Sequence, residues 1–130
     1  MNKVSIAACA LAFMATNAVA KNSMTHAGFE INPVNDVVYE AVSEGAHGGA
    51  AFWCAAGMFV ETVLKKSPKT EIYVVRGAGK SETTGRRSAA QFTIDPAAAG
   101  ITPAPLSDNL NELNVGGHMH ASLARNFCNG

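Results

Sequence analysis

Two cysteines, Cys54 and Cys128, constrain this chain more than any other pair of residues, because joining them closes most of the sequence into one loop. A third, Cys9, lies inside an N-terminal segment that reads as a removable export signal. Lys3 supplies the positive start, an apolar run extends from Val4 to Ala15, and Ala18-Val19-Ala20 offers the small-x-small pattern that signal peptidase accepts before Lys21. The run is shorter than the ~20 apolar residues needed to cross a bilayer. Ile6-Ala7-Ala8-Cys9 loosely resembles a lipid-attachment box. Only five residues separate Lys3 from Cys9, however, and the apolar run continues past it, so Cys9 reads as signal core. Processing would leave Cys54 and Cys128 in a periplasmic or secreted protein, and two cysteines in an oxidising compartment ordinarily pair. Closing so long a loop adds about 4 kcal/mol in the chain-entropy model. It also ties down C-terminal residues that would otherwise fray.

Cleavage after residue 20 leaves 110 of the 130 residues, a length suited to one domain with one core. Ten basic and ten acidic residues balance, and loss of Lys3 makes the processed chain −1. That balance gives no global electrostatic reason to expect nucleic acid or an anionic membrane as partner. No segment from Lys21 onward is apolar enough to span a membrane. The expected organisation is a signal peptide at 1–20, a leader at 21–37 that is flexible or holds a short strand, and a single α+β domain at 38–130.

Phe29 to Ile31 reads as a short strand ended by Asn32-Pro33, and Val37 to Val42 as a better one. Gly45, Gly48 and Gly49 interrupt regular structure. Ala50 to Lys66 is the clearest helix, with Trp53, Gly57, Val60 and Leu64 at helical spacing and Ser67-Pro68 as its stop. Thr70 to Arg76 reads as a central strand, Gly77 to Arg87 as a loop, and Ser88 to Ile94 as a second strand antiparallel to the first. Pro96 to Pro105 is irregular. Leu106 to Val115 fits a strand or a short helix, with strand favoured, and Met119 to Phe127 fits a helix. The expected fold is therefore α+β: a small antiparallel sheet of three to five strands, packed by one central helix, with a short C-terminal helix tied on by the disulfide. Trp53, Phe59, Val63, Tyr73, Val75, Phe92 and Ile94 are the expected core.

No complete catalytic set emerges, so the reading leans away from an enzyme, and no cofactor is implied. Gly77-Ala78-Gly79-Lys80-Ser81 has Val74 where a phosphate loop needs its first glycine, and it leads into a strand. Cys54 sits near a helix N-terminus, where thiol pKa falls, which suggests a hydrolase. Yet the following strands carry no histidine, and disulfide formation would consume the thiol. His118-Met119-His120 could offer two imidazoles and a thioether to copper or zinc, though no full ligand spacing is present. Arg76, Lys80, Arg86 and Arg87 cluster on or near one loop of an otherwise neutral protein, and could face an acidic partner, a lipid head group or a polyanionic glycan. A solvated turn, partly neutralised by Glu82, would show the same residues.

Phe52-Trp53-Cys54-Ala55-Ala56-Gly57, then Ile72-Tyr73-Val74-Val75-Arg76-Gly77-Ala78-Gly79-Lys80-Ser81, then a terminal helix ending Asn126-Phe127-Cys128, resembles a family of small exported bacterial proteins. Its pattern is an aromatic-Trp-Cys helix, an Ile-Tyr-Val-x-Arg-Gly strand and a C-terminal cysteine. The likeness covers about residues 39 to 128. It implies export and the Cys54–Cys128 pairing, and carries over no activity. The functional expectation is an exported, disulfide-stabilised, non-enzymatic binding or accessory module with Arg76, Lys80, Arg86 and Arg87 as partner surface. A metal protein using His118 and His120, and a Cys54-dependent hydrolase, are the alternatives.

Overall fold

The computed structural model describes residues 23–24, 28–45 and 47–129. The expected export signal, with Cys9, lies outside the described residues, as does His26.

Strand β1 (Ser23–Met24) pairs along the edge of β2 (Phe29–Pro33), and β2 pairs with β3 (Val38–Ser43). Helix α1 (Gly49–Met58) follows and continues as a π-helical turn over Phe59–Val63. Next come β4 (Glu71–Gly79), β5 (Ala89–Thr93), a single helical turn α2 (Pro96–Ala99), strand β6 (His118–His120) and α3 (Ala121–Asn126). The strands form one antiparallel sheet in the order β1-β2-β3-β5-β4-β6, five strands of three or more residues plus the two-residue β1. Among the described residues, no helix is long and apolar enough to cross a membrane.

Helix α1 is apolar all round because it is covered all round. Phe52, Trp53, Cys54, Ala55, Ala56 and Gly57 are all buried. On the sheet side, Phe52 meets Phe29 edge-on with ring centroids 5.1 Å apart, and Trp53 meets Phe92 at 5.3 Å. On the other side α3 comes so close that a Cβ on Gly57 would sit 2.9 Å from the Ala121 carbonyl and 2.9 Å from the Ala124 Cβ. The Cys54–Cys128 disulfide, with Cα atoms 5.0 Å apart, joins α1 to the turn that follows α3. The fold class and the bridge are those expected.

Four local expectations fail. The helix from Ala50 does not run on to Lys66 as α-helix. Thr62 donates its hydroxyl to the Met58 carbonyl at 2.6 Å, the turn widens so that the Leu64 amide bonds the Phe59 carbonyl, and Lys65 ends it in the left-handed region at φ 58°. Val63, expected in the core, is rotated out to 43% exposure. In β4 the faces are the reverse of those expected: Ile72 and Val74 are buried, whereas Tyr73 and Val75 are only half-buried. Leu106 to Val115 forms neither strand nor helix, because its polar side chains capture the backbone. Asn109 N–H donates to Ser107 Oγ, Asn111 N–H to Asn109 Oδ1, and Ser107 N–H to Asn114 Oδ1. The expected helix from Met119 starts two residues late, since His118, Met119 and His120 are paired with Tyr73, Ile72 and Glu71.

Candidate functional site

Glu40 lies mid-strand in β3 and its side chain is fully buried. Strand pairing sets Glu40 opposite Gln91 of β5, and Gln91 opposite Arg76 of β4. Regular alternation would turn Arg76 to the helix side with Ile72 and Val74. A register shift between Val74 and Arg76 inserts one residue and swings Arg76 onto the face of Glu40. Arg76 Nη2 then reaches Glu40 Oε2 at 3.2 Å, and Gln91 Nε2 donates to the same oxygen at 3.1 Å.

The rest of the shell comes from the loop after β4. Ser81 Oγ and Thr83 Oγ1 each donate to Glu40 Oε1 at 2.7 Å, joined by the Thr83 amide at 3.0 Å, and the Glu82 amide donates to Oε2 at 2.9 Å. Burial alone would raise the Glu40 pKa. The hydrogen bonds from Thr83, Glu82, Gln91 and Ser81 together outweigh it and lower the pKa from 4.5 to about 2. Ser81 in turn accepts from the Thr84 amide and hydroxyl, its own amide donates to the Arg86 carbonyl, and Gly85 closes the turn at φ 82°. The glycine-rich segment is thus organised around an internal carboxylate.

This arrangement divides the expected basic surface. Arg76 turns inward: besides Glu40 it donates to the carbonyls of Gly77 and Lys80. Lys80, Arg86 and Arg87 are exposed. Arg86 stands 3.6 Å from Glu44 with both side chains about half exposed, at 50% and 49%. Arg86, Arg87 and Ser88 form one wall of an open groove whose other wall is Ser43, Glu44, Gly45 and His47.

On the outer face of β4 and β6, Glu71 lies between two histidines. Its Oε2 is 2.6 Å from His118 Nδ1 and its Oε1 is 2.6 Å from His120 Nδ1. Among the described residues, no group of three or more His, Cys, Asp or Glu is arranged to hold a metal ion. Glu71 thus ties both histidines of β6 to β4, and Met119 between them in sequence is buried on the opposite face of the strand. The hydrolase reading of Cys54 falls, since its sulfur is bonded to Cys128 and the residue is 2% exposed.

Glu40, Glu71 and His47 were not among the expected site residues. The available signal for Glu40 was a lone carboxylate inside Val37–Val42, a strand with no basic partner in its own stretch of sequence. No family model matches the sequence, and no curated protein or solved structure matches it either.

Proposed function

We propose that this domain is a non-enzymatic binding or accessory module that works outside the cytoplasm, in the periplasm or as a secreted protein, and that it meets an anionic partner through Lys80, Arg86 and Arg87. The signal-like pattern at 1–20 and the Cys54–Cys128 bridge support the compartment. One observation carries the binding surface. Buried Glu40 takes Arg76 for itself and fixes the loop backbone, while the side chains of Lys80 and Arg87 have neither ion pair nor hydrogen bond among the described residues. Cations held on a pre-ordered loop bind with less ordering cost than cations on a mobile one.

Retention on immobilised heparin at low salt tests the reading. The chain has a formal net charge of +0, so retention requires a local patch. Wild type should be held and released by salt, and R86E/R87E should flow through. Equal retention of the two proteins would remove this surface from consideration.

A further inference from the structure

The groove beside the basic loop has the chemistry of a seat for a small, highly charged oxyanion. Its walls are stitched together by the Ser43 amide, which donates to the Ser88 carbonyl at 2.9 Å. Ser43 Oγ bonds both the amide and the carbonyl of Gly45, which shapes the turn on that wall. His47 is exposed but lies against Phe29, ring centroids 4.9 Å apart, and Phe29 is itself 1% exposed. The imidazole thus has a buried aromatic support beneath it.

Glu44 shows which anion the groove would refuse. Its carboxylate already sits 3.6 Å from Arg86, beyond hydrogen-bonding distance, with both groups half in solvent. A tethered carboxylate acts at a high effective concentration, so a free monocarboxylate would compete poorly against it. Displacement requires more charge. Charge points the same way: two guanidiniums lining one groove neutralise a dianion more completely than a monocarboxylate. Two arginines against one glutamate leave the groove positive before His47 is counted.

We infer that this groove binds a phosphoryl dianion, with Arg86 and Arg87 holding its charge, His47 and Ser88 beside it, and Glu44 as the internal competitor it displaces. The assignment rests on the reading of the basic loop as the partner surface and adds the ligand class.

Inorganic phosphate titrated into the purified protein at constant ionic strength, followed by backbone amide NMR, tests it. Saturable shifts are expected at Gly45, His47, Arg87 and Ser88, with acetate binding more weakly. R86A/R87A should weaken phosphate binding by about tenfold or more, because charge-assisted bonds are lost at exposed positions that leave the core intact. E44Q should tighten binding about threefold, the size of an exposed ion pair removed as competitor, and misfolding could not produce such a gain. Acetate matching phosphate, or E44Q leaving phosphate affinity unchanged, overturns the assignment. Heparin retention that depends on Arg86 and Arg87 without saturable phosphate binding sinks only the phosphoryl ligand; retention independent of them sinks the partner surface as well. Sedimentation with phosphatidate vesicles, lost in R86A/R87A, would support a lipid headgroup as the phosphoryl source. Saturable phosphate without vesicle binding would support a soluble phosphate ester.

Discussion

Glu40 and Ser81 are 41 residues apart in the chain, yet the serine hydroxyl donates to the carboxylate at 2.7 Å inside a site where the two residues are 0% and 4% exposed. This bond, with its neighbours from Thr83 and Gln91, is where the outer face of the sheet and the loop over it become one structure. A charge so deeply buried persists because its lone pairs are all answered.

Removing that carboxylate should therefore cost far more than a surface substitution. Glu40→Ala strands the donors of Ser81, Thr83 and Gln91 and leaves Arg76 without its counter-charge, for a loss of about 3–5 kcal/mol. Glu40→Gln keeps the shape but turns an amide toward existing donors, and should cost about 2 kcal/mol. Urea denaturation measures both. Hydrogen exchange should show the amides of Glu82 and Thr83 losing protection first.

Acid should weaken the protein through the same group. Glu40 titrates near 4.5 when unfolded and at about 2 when folded, so its ionised form stabilises the fold above the unfolded value. That contribution drains away as pH falls from about 4.5 to about 2, a span equivalent to about 3 kcal/mol. The unfolding free energy of the wild type should exceed that of Glu40→Gln at neutral pH and converge on it as pH falls through that window. A wild-type profile as flat as the variant's would contradict the buried-carboxylate account.

The bridge between Cys54 and Cys128 spans 74 residues of sequence. Its loss in C54S/C128S should lower stability by up to about 4 kcal/mol. The sheet should survive, since neither cysteine lies on a strand, so far-UV dichroism stays close to wild type. Alkylation followed by intact-mass measurement should label neither cysteine until a reductant is added.

Gly57 offers a test of helix packing in which two effects oppose each other. Alanine is intrinsically better than glycine within a helix by about 1 kcal/mol. Here the added methyl meets the Ala121 carbonyl and the Ala124 Cβ, each at 2.9 Å, and overpacking of this kind costs about 1–3 kcal/mol. Gly57→Ala should lower the melting temperature, and Ala124→Gly in the same chain should recover part of the loss.

The elements that sequence reading located are those whose signals are local. Phe52, Trp53 and Ala56 announce a buried helix by composition. The paired strands around Val74 and Phe92 announce themselves by β-branched and aromatic content, and two cysteines announced the bridge. What stayed hidden depends on an inserted residue or a distant partner. The bulge in β4 leaves no mark in Ile72-Tyr73-Val74-Val75, yet it decides that Arg76 faces Glu40 and is spent internally. Alternation in β4 allows either Tyr73 and Val75 or Ile72 and Val74 to face the core, and sheet pairing selects the second pair. Val63 fits α-helical spacing, and the widened turn that exposes it, where Leu64 N–H bonds the Phe59 carbonyl, has no periodic signal. The groove was out of reach for the same reason: its walls, around Ser43 and Arg87, come from opposite halves of the chain. The basic residues form a cluster in the sequence, whereas nothing local ties His47 to them.

One further consequence lies in the position of β6. The outermost strand beside β4, and the helix that covers Gly57, are built from residues 118–126. A polypeptide emerging in order from a ribosome or a translocation pore would have its central strands and α1 exposed while that last segment was still confined. The sheet edge and α1 can be covered only once residues 118–126 have emerged, so the completing step comes late, and the Cys54–Cys128 bond then locks it.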